Sequence, residues 1–344
     1  MSVEQIEREL GRLRMNEDGT LGLRASVLNL VVVTDEEAAA SVTQAVSNIA
    51  GRYPSRAILL ISDPEEREAS VGFELSAFCS LRGGGGAQVC AEQVTIHAQG
   101  PPAEHLESLA GPLLISDLPV FLWYPGSFSP SSPEFAGMAS LADRIIVDSA
   151  ATGGCACLKE VAALLEDPEA PAVGDLQWVM LSPWRALASE LFNSPERAGE
   201  LGEIRKVEVL HTQAGECRAL LFVGWLASTL GWRRQDVTLL EEGREVHFAA
   251  PSGEVVVELS PNSPDANFRR VRLYSDEYSF QVSRHRELSD ARTTIMRGDE
   301  LLGELTVRLG GFDLGVILGE ELRYRGRDEV YENALRAAVE IVDP

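Results

Sequence analysis

The chain has 344 residues, 45% hydrophobic and 24% charged, a globular balance that excludes a mainly disordered, collagen-like or coiled-coil organisation. Its 53 Asp and Glu against 30 Lys and Arg leave a formal charge of −23, a field that repels phosphate backbones and anionic membranes. Nucleic-acid binding and membrane association are therefore not expected, and the strongest basic cluster, Arg269, Arg270 and Arg272, is too small to reverse that.

At about 100–200 residues per domain, the length predicts two domains. No apolar run reaches the roughly 18 residues of a membrane span. The start, Met1 to Gln5, lacks a basic and apolar leader, so a cytoplasmic protein is expected. Residues 1–20 read as a charged lead-in helix. Val27 to Val33 is a nearly unbroken apolar run, the pattern of a strand buried on both faces. Thr34 and Glu37 have capping-box spacing, and Val42, Ala45, Val46 and Ile49 form one helical face. Ala57 to Ile61 is a second buried strand, so a βαβ unit with parallel strands is predicted.

Phe73 to Leu81 and Val89 to Ile96 read as more polar strands flanking Gly83 to Gly86. No helix carrying Lys and Ser or Thr follows those glycines, which makes them a strand connection rather than a phosphate cradle. The α/β pattern then returns. A helix is predicted over 103–116, a strand at Val120 to Trp123, a helix opened by Ser132-Pro133, and a strand at Ile145 to Val147. Leu158, Val161, Ala162 and Leu165 mark the next helix. Residues 166–177 read as a connection, and Ser182-Pro183 as the opening of another helix.

Ile204 to His211 is a predicted strand and 216–230 an apolar helix ending at Gly231. From 236 to 309 strand follows strand, which reads as an antiparallel meander. A helix from Asp328 to Val342 closes the chain. The resulting fold class is an α/β domain over 21–175, with a mostly parallel sheet and helices on both faces. An α+β domain with an antiparallel sheet follows over 176–344.

Chemistry-bearing motifs are scarce. There is no G-x-G-x-x-G, P-loop, H-E-x-x-H or G-x-S-x-G, and the five histidines (His97, His105, His211, His247, His285) are scattered. The five cysteines (Cys79, Cys90, Cys155, Cys157, Cys217) read as free thiols of a reducing compartment. Cys155-Ala-Cys157 reads as small residues at a turn, a redox pair being the alternative. No catalytic residue, metal site or cofactor is assigned. Trp123, Trp184 and Trp225 read first as core, while Trp123, Trp184 and Arg185 are the candidates for partner contact. Thr34, Asp35, Ser62, Tyr124, Asp63 and Asp148 follow apolar strands and would line a crevice at the strand ends. That placement supports the alternative of a sensor or enzyme for a sugar phosphate or nucleotide.

Several segments carry a resemblance. Arg24 to Val32, Tyr53-Pro54-Ser55-Arg56-Ala57, Asp117-Leu118-Pro119 through Trp123, Asp175-Leu176-Gln177-Trp178 through Pro183-Trp184-Arg185, Gly224-Trp225 through Trp232, and Asp328 to Leu335 resemble the OpcA family. This family comprises glucose-6-phosphate dehydrogenase assembly proteins of cyanobacteria and actinobacteria. The resemblance implies a non-catalytic protein that binds that dehydrogenase and promotes its active oligomer or activity, serving the oxidative pentose phosphate pathway and NADPH supply. Some cyanobacterial relatives are thiol-controlled through cysteines toward the C-terminus. Here no cysteine follows Cys217, so that control is not carried over.

Overall fold

The structure is a computed structural model, and it describes residues 1–15, 23–24, 26–81, 88–151, 155–262, 268–284, 290–309 and 313–342. Gly83 to Gly86, Ala25 and His285 lie outside the described residues. The chain forms two compact units. The first comprises 1–151, 167–176 and 313–327, and the second 152–166, 177–312 and 328–344.

In chain order the first unit opens with α1 (Val3–Leu13), capped by the Ser2 side chain and burying Ile6 and Leu10. The short β1 (Leu23–Arg24), β2 (Leu28–Thr34), α2 (Glu36–Ile49) and β3 (Ser55–Asp63) follow. β4 (Ser70–Leu81) and β5 (Gln88–Gln99) come next, then α3 (Leu106–Ala110), β6 (Val120–Tyr124), α4 (Pro133–Ala139) and β7 (Arg144–Val147). After α5 (Ala156–Ala163), which belongs to the second unit, the chain adds β8 (Ala172–Asp175) to the first.

The first sheet runs β1-β5-β3-β2-β6-β7-β8, with β4 beside β5. Every pairing is parallel except β4 with β5. All seven residues of β2, all five of β6 and all four of β7 are buried, so the unbroken apolar runs match strands covered on both faces. Asn29 is the polar exception in β2. Its side chain donates to the Ile115 and Leu118 carbonyls at 3.0 and 3.2 Å and accepts from the Ile115 amide at 2.8 Å. It thereby satisfies the irregular turn in which Asp117 adopts φ +65. Arg56 on β3 is also buried, held by Glu92 of β5 at 2.6 Å, by Glu7 and by the Leu113 carbonyl.

The second unit continues with α6 (Leu176–Glu190), α7 (Pro195–Ala198), β9 (Lys206–His211) and α8 (Glu216–Leu230). β10 (Arg233–Leu239), β11 (Arg244–Ala250), β12 (Gly253–Ser260), β13 (Phe268–Tyr274), β14 (Tyr278–Arg284), β15 (Asp290–Arg297) and β16 (Glu300–Arg308) follow. α9 (Leu314–Glu321) belongs to the first unit, and α10 (Glu329–Val342) ends the second. Alternate residues face two environments along these strands. In β9, Val207, Val209 and His211 are buried while Lys206, Glu208 and Leu210 are half-exposed. α8 lies on the buried side, with Phe222 5.5 Å from Phe268 of β13.

Five expectations change. The run from 236 to 309 is not a simple meander, because β9 inserts between β12 and β13 and pairs in parallel with β12. Residues 166–177 are more than a connection, since the Ala172–Asp175 edge strand lies within them; four residues are too few for a periodic signal. α6 starts at Leu176, with Pro183 inside it rather than at its opening. Apolar packing of Leu181, Trp184 and Leu187 retains the helix despite the missing proline amide. α2 is capped by Asp35, whose carboxylate accepts from Ala38 at 2.8 Å, because Thr34 is still in β2. The cysteines are not all free: Cys79 and Cys90 form a disulfide, since antiparallel pairing of β4 with β5 places them directly opposite.

His211 is buried at the end of β9, with Nδ1 2.8 Å from the Thr212 carbonyl. Burial pushes its pKa below the ordinary histidine value. Below the unfolded-state value near pH 6.5 the unfolded chain takes up a proton that the folded chain resists, so acid removes stability down to the lowered folded value. The urea midpoint should fall more between about pH 7.5 and 5.5 in the wild type than in His211→Gln. Parallel curves would show that His211 makes no such contribution.

Candidate functional site

The crevice expected at the strand ends exists in the first unit. Strand order reverses between β2 and β6, and the carboxyl ends of β2, β3 and β6 open there on a cavity of about 490 Å³. Thr34, Asp35, Ser62 and Tyr124 line it, together with Glu134 and Phe135 of α4. Asp63 and Asp148 do not. Asp63 ends β3 with its side chain exposed, and Asp148 turns back to accept from the Ala150 amide at 3.0 Å.

Tyr124 packs 5.3 Å from Phe135 and 5.9 Å from Phe128. Its hydroxyl and that of Ser62 are buried and have no hydrogen-bond partner among the described residues. Burial, and then the charge of Glu134, hold the Tyr124 phenol far above its usual range. Burial also raises Glu134, helped by Glu104 and Glu107. The crevice is thus electronegative, with two buried hydroxyls unpaired among the described residues.

The N-terminus of α2 adjoins this crevice, the position where doubly wound folds hold a dinucleotide pyrophosphate. Here the turn reads Thr34-Asp35-Glu36-Glu37 with no glycine, and the Asp35 carboxylate already caps the helix. Three carboxylates in that place repel a pyrophosphate, and Asp35 already occupies the Ala38 amide. The residues present do not fit a dinucleotide.

The partner-contact candidates separate. Trp123 is fully buried in β6 and Trp184 is 1% exposed, packed edge-on at 4.7 Å against Phe268, so neither reaches a partner's surface. Each fills a core position because its strand or helix turns that side inward. Arg185 is half-buried in the second unit and stacks 3.4 Å over the Trp178 ring. Trp178 donates to Asp328 at 3.0 Å and lies 5.6 Å from Tyr331, while Gln177 accepts from Arg218 at 2.7 and 3.0 Å.

Trp225, expected in the core, is half-exposed and lines an apolar groove of about 380 Å³ with Phe192, Leu226 and Leu230. The apolar stretch around it carried no mark distinguishing a groove wall from a core position. Cys155 sits at the start of α5 with its sulfur 3.0 Å from that of Cys217, not paired with Cys157. That contact, with burial, raises the Cys155 pKa strongly. Among the described residues no three His, Cys, Asp or Glu converge as metal ligands, and no helix is long and apolar enough to cross a membrane.

Comparison with known proteins decides the family. Residues 46–163 match the glucose-6-phosphate dehydrogenase subunit N-terminal domain model and 171–335 match the corresponding C-terminal domain model. The chain belongs to the OpcA family. Relatives named as putative OxPP cycle protein OpcA include one from Synechocystis, 26% identical over 86% of this chain and 65% of its own length. Another, from Nostoc punctiforme, is 33% identical over 54% of this chain and 40% of its own length. The chain therefore spans less than two thirds of the length of either relative.

Among solved structures, the 3-ketoreductase KijD10 from Actinomadura kijaniata, in complex with TDP-benzene and NADP, shares the fold. Its TM-score is 0.54 at 12% identity, covering 92% of this chain and 96% of that one. The putative oxidoreductase yvaA from Bacillus subtilis gives a TM-score of 0.51 at 10% identity, over 92% and 97%.

Proposed function

We propose that this OpcA-family chain is a non-catalytic cytoplasmic partner of glucose-6-phosphate dehydrogenase that promotes the enzyme's active oligomeric state or activity. The observation that carries the reading is the pair of domain models covering 46–163 and 171–335, both described as parts of a subunit of that dehydrogenase. The carboxylates at the start of α2 support it, because they oppose the cofactor chemistry hosted by oxidoreductases of the same fold.

An activator acts by binding the active state of its target more tightly than the inactive one, and a coupling of about 1–3 kcal/mol is typical. The charge of −23 favours steering toward basic patches on the enzyme. Titrating the same organism's dehydrogenase with this protein, with light scattering on the same samples, tests the proposal. Saturable activation with a co-migrating complex is expected. Association should slow as salt rises from about 0.05 to 0.5 M, because screening shortens the reach of the field. A rate independent of salt overturns the electrostatic part, and no complex with a competent enzyme overturns the whole.

A second reading, small-molecule binding at the β2, β3 and β6 ends, draws on the Ser62 and Tyr124 hydroxyls, which have no partner among the described residues. Asp35 and Glu134 direct that reading toward neutral polyols rather than phosphates. A glucose-dependent rise in melting temperature, abolished in Tyr124→Phe, is its signature.

A further inference from the structure

The half-exposed face of the second sheet carries a local reversal of the chain's charge. Arg270 of β13 stands opposite Ser283 of β14, which stands opposite Arg292 of β15, which stands opposite Thr306 of β16. One step along the strands, Arg272 stands opposite Gln281, then Thr294, then Glu304. A register shift between Phe268 and Arg270 makes Arg269 the extra residue of a bulge. A bulge re-aims a side chain, and so Arg269 and Arg270 both border the same depression although they are consecutive.

The depression has a volume of about 490 Å³ and, among the described residues, is lined by five arginines, counting Arg284, against two carboxylates, Asp290 and Glu304. Nε of Arg270 is buried and has no hydrogen-bond partner among the described residues. Arg272 is held rigidly by Gln281 at 2.5 and 3.0 Å and by the Tyr274 hydroxyl at 3.0 Å, while Arg292 pairs with Glu304. Side chains two strands apart stand about 10 Å from one another. Arg270 and Arg292 therefore stand on either side of Ser283.

We propose that this depression binds a phosphate-bearing small molecule. Guanidinium forks match phosphate oxygens bidentately, and Thr294 and Thr306 stand on the same face with hydroxyls that can add neutral donors. The volume lies in the range of small-ligand sites. A long polyanion meets the whole field of −23, whereas a small one senses mainly charges within a screening length of about 8 Å at physiological salt. The site belongs to the second unit and differs from the α2 terminus of the first, where carboxylates refuse a phosphate, and it does not rest on the dehydrogenase reading.

The test is calorimetric titration of the full chain, in buffer free of phosphate and sulfate, with inorganic pyrophosphate and with glucose 6-phosphate, glucose being the neutral control. Saturable binding of at least one phosphate compound and none of glucose is expected. Arg270→Gln and Arg292→Gln should each weaken binding about tenfold. Glu304→Gln, which removes a competing carboxylate and no cation, should tighten it about threefold. Unchanged melting curves of the unliganded variants exclude unfolding as the cause. Absence of binding at millimolar ligand, or arginine variants that bind as the wild type does, overturns the proposal. Arginine-dependent binding of a poly-glutamate peptide with no binding of either phosphate compound also overturns it, in favour of an acidic protein segment.

Discussion

Glu321→Ala should cost about 3–5 kcal/mol of stability, because it strands a buried guanidinium. Arg144 of β7 and Glu321 of α9 have side chains 2% and 3% exposed within the first unit. Nε and Nη2 of Arg144 both donate to Oε1 of Glu321, at 2.9 and 2.5 Å, and Nη1 donates to the Gly326 carbonyl at 2.6 Å. Room for the pair comes from Gly174 of β8, where a Cβ would overlap the Glu321 carboxylate and lie 2.7 Å from Arg144 Nη2. The loss is larger than that of an exposed pair because both side chains are buried, so the guanidinium left behind stays out of bulk water. Arg144→Met combined with Glu321→Leu should recover most of it, since removing both charges also removes their desolvation cost. Urea unfolding of the three chains measures the differences. A Glu321→Ala midpoint equal to the wild-type value sinks the argument.

The second large effect is expected at Gly224. α8 and α10 meet there so closely that a Cβ would overlap the Ala334 carbonyl oxygen and lie 2.8 Å from the Ala338 amide nitrogen. Gly224 has an ordinary helical backbone, so alanine gains up to about 1 kcal/mol of helix propensity. Overpacking of about 1–3 kcal/mol opposes that gain, and the backbone of α10 is the part that must move. Gly224→Ala should therefore destabilise the second unit despite being the better helix former. Gly224→Leu should separate the helices and expose the buried face of Tyr331, Leu335 and Ile341, leaving a chain that melts early or aggregates. Urea titration followed by circular dichroism decides. An alanine variant more stable than the wild type would show that the helices have slack at this position.

The segments that identified the family turn out to meet one another within the two units. Asn29 holds the turn containing Leu118, Trp178 and Asp328 are hydrogen-bonded, and Gly224 seats Ala334. What the sequence made recognisable is therefore largely the set of pairings that build the fold. Its site candidates fared unevenly for the same reason. Trp123 and Trp184 stood out by size, and size is what a core requires. Of the six crevice residues, the four that converge are close to the ends of adjacent strands, while Asp148 follows β7, one strand further away. Trp225 reads as core from the sequence because an apolar helix carries no sign of which side lacks a covering element.

By itself the sequence determined the family, the two sheet types and most of the elements, because periodicity and helix punctuation act within a few residues. The tertiary structure alone decided the insertion of β9 between β12 and β13, the return of α9 to the first unit, the Cys79–Cys90 bond and the Arg144–Glu321 pair. It also decided that Arg292 joins Arg270 and Arg272 on one face of the second sheet. Strand register and buried pairing arise from contacts between distant segments, up to 177 residues apart for Arg144 and Glu321, and such contacts leave no local periodicity to read.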